Sequence, residues 1–243
     1  MDSPASKAKI PGFIKSLHID MSEVLRQVND FSTFNDFFIR QLKPGVRPIN
    51  NNPDALVSPA DGKVMAFSEI HRLDTFFAKG QEFLLEEFLQ DQSLSSKYSE
   101  GTMLIIRLAP TDYHRFHFPL DGRISKSRPV DGVYYSVSPY AVKNSLKIYW
   151  ENKREYSILD TVNAGHILLC EVGATMVGSI VQTYSPDTEV KKGQEKGWFA
   201  FGGSTIIILM EKGKVQADND ILENTKKGYE TGIKMGERLA AVL

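Results

Sequence analysis

A pair of glycines, Gly202-Gly203, hands the chain into Ser204-Thr205 and the apolar run Ile206–Met210, just after the aromatic patch Trp198, Phe199 and Phe201. The apolar run predicts a strand, and the glycines permit backbone angles that other residues avoid. Gly203 has no side chain to shield its carbonyl carbon. The Ser204 hydroxyl is therefore able to reach the carbonyl of its own peptide bond. Gly-Gly-Ser also reads as a plain turn, so neighbouring residues must decide between the two.

At 243 residues, with 42% hydrophobic and 24% charged residues, the chain has the composition of an ordinary globular protein with a sizeable core. A net charge of −1 gives no reason to expect nucleic acid as a partner. The single cysteine, Cys170, excludes an intramolecular disulfide framework and lies in the apolar run Ile167–Cys170, as a small buried hydrophobe would. No stretch approaches the ~18 apolar residues of a membrane span. Met1–Lys7 lacks the apolar core of a signal peptide, so any membrane contact is expected to be peripheral.

Residues 1–9 read as a solvated lead-in. From Ile10 to Phe38, apolar residues recur at intervals of three and four (Phe13, Ile14, Leu17, Met21, Val24, Leu25, Val28), predicting helix with a break near Ser32-Thr33. Such a face packs on the domain or rests on a lipid surface. After the turn Lys43-Pro44-Gly45 the pattern becomes β. Ala55–Ser58 and Gly62–Phe67 flank Pro59-Ala60-Asp61 as in a hairpin, and a short helix is expected at Phe83–Gln90. Further strands are predicted at Met103–Leu108, Gly122–Ser127, Val133–Val137, Leu146–Trp150, Tyr156–Leu159, Ile167–Val172, Met176–Val181 and Thr205–Met210. Asp218–Leu243 reads as a closing helix, weakened by Gly228, Gly232 and Gly236. The expected fold is a single α+β domain over 1–243. Its helical lead-in covers 1–50, and a β-rich core of mostly antiparallel strands covers 51–243, with helices at both ends.

Three residues stand beside Ser204 as candidates for chemistry. Asp61 lies in Ser58-Pro59-Ala60-Asp61-Gly62, where Asp-Gly is also an ordinary turn pair. His114 and His117, two of the five histidines, lie in Asp112–Pro119. As metal ligands they lack both the Glu of a zinc-peptidase motif and a nearby cysteine, so no metal is assigned. With Ser204 and Asp61, a histidine makes a nucleophilic triad in which imidazole takes the serine proton and carboxylate stabilises the imidazolium. The serine then attacks either an outside ester or amide, or Gly203. Ser204-Thr205 runs on into Ile-Ile-Ile-Leu, and no glycine follows two residues on, so the nucleophile elbow of the α/β-hydrolases is missing.

From Phe34 to the C-terminus the sequence resembles the phosphatidylserine decarboxylases, which use a pyruvoyl group. The resemblance rests on Phe34–Ile49, Ser58–Gly62, Tyr113–His117, Val172–Ile180, Lys192–Phe199 and Phe201–Thr205, six landmarks in order. The last of these matches the Gly-Gly-Ser-Thr branch of the family.

The resemblance implies that Asp61, His117 and Ser204 form a self-processing triad that cuts between Gly203 and Ser204. It would leave a β chain, 1–203, and an α chain, 204–243, whose first residue is a pyruvoyl group made from Ser204. That carbonyl would form a Schiff base with the serine headgroup of phosphatidylserine and act as electron sink while carbon dioxide leaves. His114 would orient the headgroup or protonate the carbanion. The resemblance further implies a peripheral membrane enzyme, a homodimer, and no metal. On a strand, 114 and 117 face opposite ways, so two histidines sharing one site predict a turn or irregular segment there. Arg40 and Arg47 are candidate phosphate contacts. Three readings compete: a pyruvoyl enzyme acting on a free amino acid, a serine hydrolase, and a non-enzymatic β-rich carrier or binding module. The carrier would need an exposed lysine at a hairpin tip, which Lys63 and Lys191-Lys192 do not supply.

Overall fold

The computed structural model describes residues 1–70, 84–133, 135, 151–173, 179–202 and 204–243. Along them the α-helices are α1 (Ile10–Leu17), α2 (Phe34–Phe38), α3 (Leu85–Leu89), α4 (Gln92–Tyr98) and α5 (Asn219–Lys226). The first strands are β1 (Ala55–Val57), β2 (Gly62–Ser68), β3 (Thr102–Leu108), β4 (Arg115–His117), β5 (Gly122–Ile124), β6 (Arg128–Val130) and β7 (Arg154–Thr161). They are followed by β8 (Gly165–Gly173), β9 (Ile180–Gln182), β10 (Thr188–Val190), β11 (Glu195–Phe199), β12 (Ser204–Met210), β13 (Val215–Ala217), β14 (Thr231–Ile233) and β15 (Arg238–Val242).

The strand after the glycine pair is the spine of the main sheet, whose order is β10-β5-β7-β8-β12-β3-β2-β14, with β6 also on β7. All seven residues of β12 are buried. Its even positions Ile206, Ile208 and Met210 pack with Phe116, Phe199 and Leu239 from two smaller sheets, β4-β11-β9 and β1-β15-β13. Its odd positions Ile207 and Leu209 pack with Phe88, Leu89 and Tyr98 of α3 and α4. A strand covered on both faces needs apolar residues at every position, which explains a continuous run in place of an alternating one. Burying each such side chain contributes about 1.5–3 kcal/mol.

A third cluster joins Ile10, Val24, Phe31, Phe34, Phe37 and Phe38, with Phe201 packed against it. The Phe201 ring centroid lies 5.0 Å from both Phe34 and Phe38. The N-terminal segment is thus anchored directly beside the glycine pair.

The β-rich α+β class, its antiparallel pairing and the helices near both ends agree with the sequence reading. Strands at 102–108, 154–161, 165–173 and 204–210 cover the runs predicted there, while the run at 122–127 pairs as β5 only to Ile124. The helix expected at Phe83–Gln90 is α3 over Leu85–Leu89, and Phe83 lies outside the described residues. Val133 makes an isolated bridge to Asn152. The rest of that predicted strand apart from Tyr135, all of 146–150, and 176–178 lie outside the described residues.

Four expectations are corrected. The lead-in 1–9 is not simply solvated: Pro4–Lys9 forms a 3-10 helix, and the buried Ser6 hydroxyl accepts from Phe34 N at 2.9 Å. The helix from Ile10 stops at Leu17, where His18 turns left-handed (φ +52°). An Asp20 side chain that accepts from Ser22 N then competes for the backbone. Ala55–Ser58 and Gly62–Phe67 do not pair with each other; β1 pairs with β15, and β2 with β3 and β14. The Pro59-Ala60-Asp61 corner therefore carries the chain between sheets, because Pro59 O accepts from His117 N at 2.8 Å in place of a hairpin partner. Finally, the closing helix is only α5. Gly228 (φ +79°) ends it, and Leu239 and Ala240 of β15 bury against β1 and β13.

Candidate active site

Ser204 opens β12, fully buried, opposite Leu108 of β3 and Gly173 of β8. Among the described residues its Oγ has no hydrogen-bond partner, and neither has the neighbouring Thr205 Oγ1. Buried hydroxyls are normally satisfied, so an orphan at this position asks for a chemical reason. Gly202 before it has φ +152°, a conformation that favours glycine. Gly203 lies outside the described residues.

His117 ends β4, whose partner β11 reaches back toward the glycine pair. Its Nδ1 is 2.9 Å from the Gly193 carbonyl, and its Nε2 is 3.2 Å from the Tyr113 hydroxyl, with the two rings stacked at 5.8 Å. His114 precedes the strand, packs at a tilt against Phe38 with ring centroids 4.0 Å apart, and has Nδ1 2.9 Å from the Asp112 carbonyl. Its Nε2 is buried with no partner among the described residues. The irregular segment expected here runs over 109–114 and takes in His114 but not His117, because Arg115–His117 pairs as a strand. The histidines consequently face different surroundings, Phe38 for one and Tyr113 for the other.

Burial drives the pKa of His114 down to about 3, against the pull of the Asp112 carbonyl. Burial likewise lowers that of His117, opposed by the Gly193 carbonyl. Both imidazoles are neutral near pH 7, each with its lone pair on Nε2.

Asp61 sits at the corner before β2, almost wholly buried. Burial pushes its pKa up, but the Arg47 guanidinium, Met235 N and Lys234 outweigh that and hold the carboxyl below the usual range. Arg47 Nε reaches Oδ1 and Oδ2 at 2.9 and 3.1 Å, and Nη2 reaches Oδ2 at 2.7 Å. Met235 N donates to Oδ1 at 2.9 Å and Lys234 Nζ to Oδ2 at 3.4 Å. Asp61, Asp112, Tyr113, Arg40, Arg47 and Lys234 share the wall of a polar cavity of about 260 Å³.

The chain matches the phosphatidylserine decarboxylase family over residues 34–241. A phosphatidylserine decarboxylase proenzyme from Fusobacterium nucleatum subsp. nucleatum is 54% identical over 238 residues, 98% of this chain and 79% of that protein. Proteins of the same name from Clostridium perfringens and Clostridium tetani are 48% and 47% identical, again over 98% of this chain and over 81% and 80% of theirs. The chain belongs to the phosphatidylserine decarboxylase family.

In this phosphatidylserine decarboxylase family member, Asp61, His114, His117 and Ser204 are all buried. Among the described residues no hydrogen bond joins Asp61, His117 and Ser204 to one another; Asp61 reaches both histidines through its charge, which raises their affinity for protons. Arg40 and Arg47 bind the protein itself. Arg40 donates to the Thr111 and Asp112 carbonyls at 3.0 and 3.3 Å, and Arg47 is taken by Asp61 and Glu23. Sequence reasoning named Arg47 as a phosphate contact and not as the partner of Asp61, and it missed Tyr113 and Gly193 as site residues. All three stand inside the landmark segments, but their partners are 14, 4 and 76 residues away, and no local pattern reports such a contact.

It also missed a buried ion pair two residues along the sheet from Ser204. Glu171 faces Ile206 and receives Lys196 Nζ on both oxygens at 2.8 Å, with Gln182 bridging the two groups at 2.9 and 3.0 Å. Burial pushes the Glu171 carboxyl up, and Lys196 opposes it.

Proposed function

We propose that this chain is a proenzyme that cuts itself between Gly203 and Ser204 and then decarboxylates phosphatidylserine to phosphatidylethanolamine and carbon dioxide. The observation that carries the reading is the buried Ser204 Oγ at the head of β12, without a partner among the described residues, in a chain of this family. A hydroxyl destined to become a carbonyl has no need of a lasting hydrogen bond.

In this reading Ser204 Oγ gives its proton to His117 Nε2 and attacks the Gly203 carbonyl carbon. The Gly203–Ser204 C–N bond breaks as His117 returns the proton to the Ser204 nitrogen, and the acyl group moves from nitrogen to oxygen. Loss of the Ser204 α-proton expels the Gly203 carboxylate and leaves dehydroalanine at 204. Its imine tautomer takes up water and releases ammonia, leaving the pyruvoyl group. The Gly193 carbonyl keeps His117 in the tautomer this step needs, and the Asp61 charge favours the imidazolium. The products are a β chain, 1–203, and an α chain, 204–243, together forming one catalytic domain.

When formed, the pyruvoyl group supplies a conjugated carbonyl as the electron sink for decarboxylation. The orphaned Ser204 Oγ fits that origin. His114, neutral and with an Nε2 lone pair that meets no partner among the described residues, is suited to orient the substrate headgroup by accepting a hydrogen bond.

The substrate is taken from a membrane surface by an enzyme bound peripherally. Among the described residues no helix is long and apolar enough to cross a membrane, while Leu17 and Leu25 stand exposed in the N-terminal segment. The assembly is a homodimer, as the family resemblance leads us to expect.

Intact-mass measurement of the wild type beside Ser204→Ala tests the processing. Two fragments meeting at 203/204 are expected from the wild type and none from the variant; an uncut wild type sinks the reading. Carbon dioxide release from phosphatidylserine vesicles is expected, and release from free amino acids alone would transfer the function to the amino-acid decarboxylase alternative.

A further inference from the structure

The Arg47–Asp61 contact is built more firmly than a phosphate-binding arginine would be. Arg47 is nearly buried, with a side chain 7% exposed, and it meets Asp61 through three donor–acceptor contacts of 2.7–3.1 Å. Its Nη2 also donates to Glu23 at 2.8 Å, and its Nη1 to the Val46 carbonyl at 3.2 Å. The guanidinium is thus committed on each of its three nitrogens. Glu23 belongs to the irregular N-terminal segment, tied down by Lys43 N donating to the Glu23 carbonyl at 2.9 Å and by the Val24–Leu42 bridge. A chain of charged contacts runs from that segment through Arg47 to the carboxylate proposed for self-processing.

We infer that Arg47 is a positioning residue for self-processing: its planar fork fixes the Asp61 carboxylate in the wall of the cavity it shares with Asp112 and Tyr113, and Glu23 fixes the fork. The inference rests on the processing reading above and extends it to a residue outside the triad. The physical ground is geometric. A carboxylate buried without a cation would protonate or turn away, whereas a bidentate guanidinium holds both its charge and its plane. Lys234 touches Asp61 at 3.4 Å but is more than half exposed, and offers a single point charge in place of a fork. The other titratable groups that feel Asp61 are Arg40, Asp112, Tyr113, His114 and His117, none of which is hydrogen-bonded to it.

The test follows the rate of fragment appearance by intact mass across pH for the wild type, Arg47→Gln, Arg47→Lys and Glu23→Gln, each with a thermal melt. Without the guanidinium the Asp61 carboxylate loses the fork that fixes its plane and holds its proton to higher pH, so Arg47→Gln is expected to mature about tenfold more slowly at pH 7 through the lost geometry, and to have its acid limb moved up by about 1–2 pH units. Arg47→Lys keeps the charge without the fork, and is expected to recover the position of the limb but only part of the rate. Glu23→Gln loosens the far end of the chain, and a slowing of about two- to threefold is expected, as for a partly exposed pair. Wild-type rate and limb in Arg47→Gln overturn the inference. So does a slowing in which the limb stays put and lysine rescues nothing, since that is the mark of a merely structural arginine. If Arg47→Gln does not fold, wild-type maturation in both Arg47→Lys and Glu23→Gln overturns it equally. A wild type that stays intact defeats the processing reading itself, and this inference with it; a maturing wild type beside an equally fast Arg47→Gln defeats this inference alone.

Discussion

His117 Nδ1 lies 2.9 Å from the Gly193 carbonyl oxygen. A carbonyl only accepts, so Nδ1 carries the ring proton and Nε2 carries the lone pair, to which the Tyr113 hydroxyl donates at 3.2 Å. The general base proposed for self-processing is thus set in its working tautomer by backbone, 76 residues away along the chain.

That backbone is exacting. Gly193 has φ +80°, and a Cβ added there would lie 2.8 Å from Ile49. Gly193→Ala is expected to destabilise the fold by about 1–3 kcal/mol through backbone strain and to slow maturation by shifting the His117 partner. Denaturant unfolding and intact mass measure the two effects. Unchanged values for both would show that the carbonyl does not set the histidine.

The buried histidines give the stability a pH dependence whose sign is fixed. Their folded pKa values lie below the unfolded ~6.5, that of His114 at about 3. The unfolded chain therefore takes up protons that the folded chain refuses, and stability is lost as pH falls below about 6.5. The His114 share continues to grow until about pH 3. Asp61, whose pKa is depressed, adds its own loss only at the acid end, below the ordinary carboxylate range. Melting temperature is expected to fall steadily from pH 7 to 4, and His114→Phe to flatten that slope. A slope identical in variant and wild type would contradict the assignment.

Lys196 and Glu171 are each about 1% exposed and bind each other at 2.8 Å. Removing one partner alone leaves an uncompensated buried charge, so Lys196→Met is expected to cost about 3–5 kcal/mol. Replacing both, as Lys196→Met with Glu171→Leu, is expected to restore most of that loss. Equilibrium unfolding of the two variants checks it: a double variant no more stable than the single one would mean that the network around Gln182 holds the structure, and not the pair.

The sequence marked the strands most clearly where burial is simplest. Ile206–Met210, Ile167–Val172 and Met103–Leu108 are apolar at nearly every position because they lie in the centre of a sheet covered on both faces, and each was legible from its own residues. Periodicity failed at the ends. Met21, Val24, Leu25 and Val28 recur as on a helix, but Val24 instead bridges Leu42 and the chain around it is irregular. Leu239 and Ala240 form a strand because β1 and β13 wait on either side, which no local pattern reveals.

The candidate site divides along the same line. Ser204 behind its glycines, Asp61, His114 and His117 were named from residue chemistry and order in the sequence. Their burial, the orphaned hydroxyl of Ser204, the tautomer of His117 and the Arg47 fork on Asp61 came from the tertiary structure alone. Residue type and spacing along one chain report which chemistry is available and which short segments will be strands. Desolvation and hydrogen-bond pairing depend on what lies across a sheet or a corner, tens of residues away, and it is these that set the charge of each group and the direction in which a proton moves.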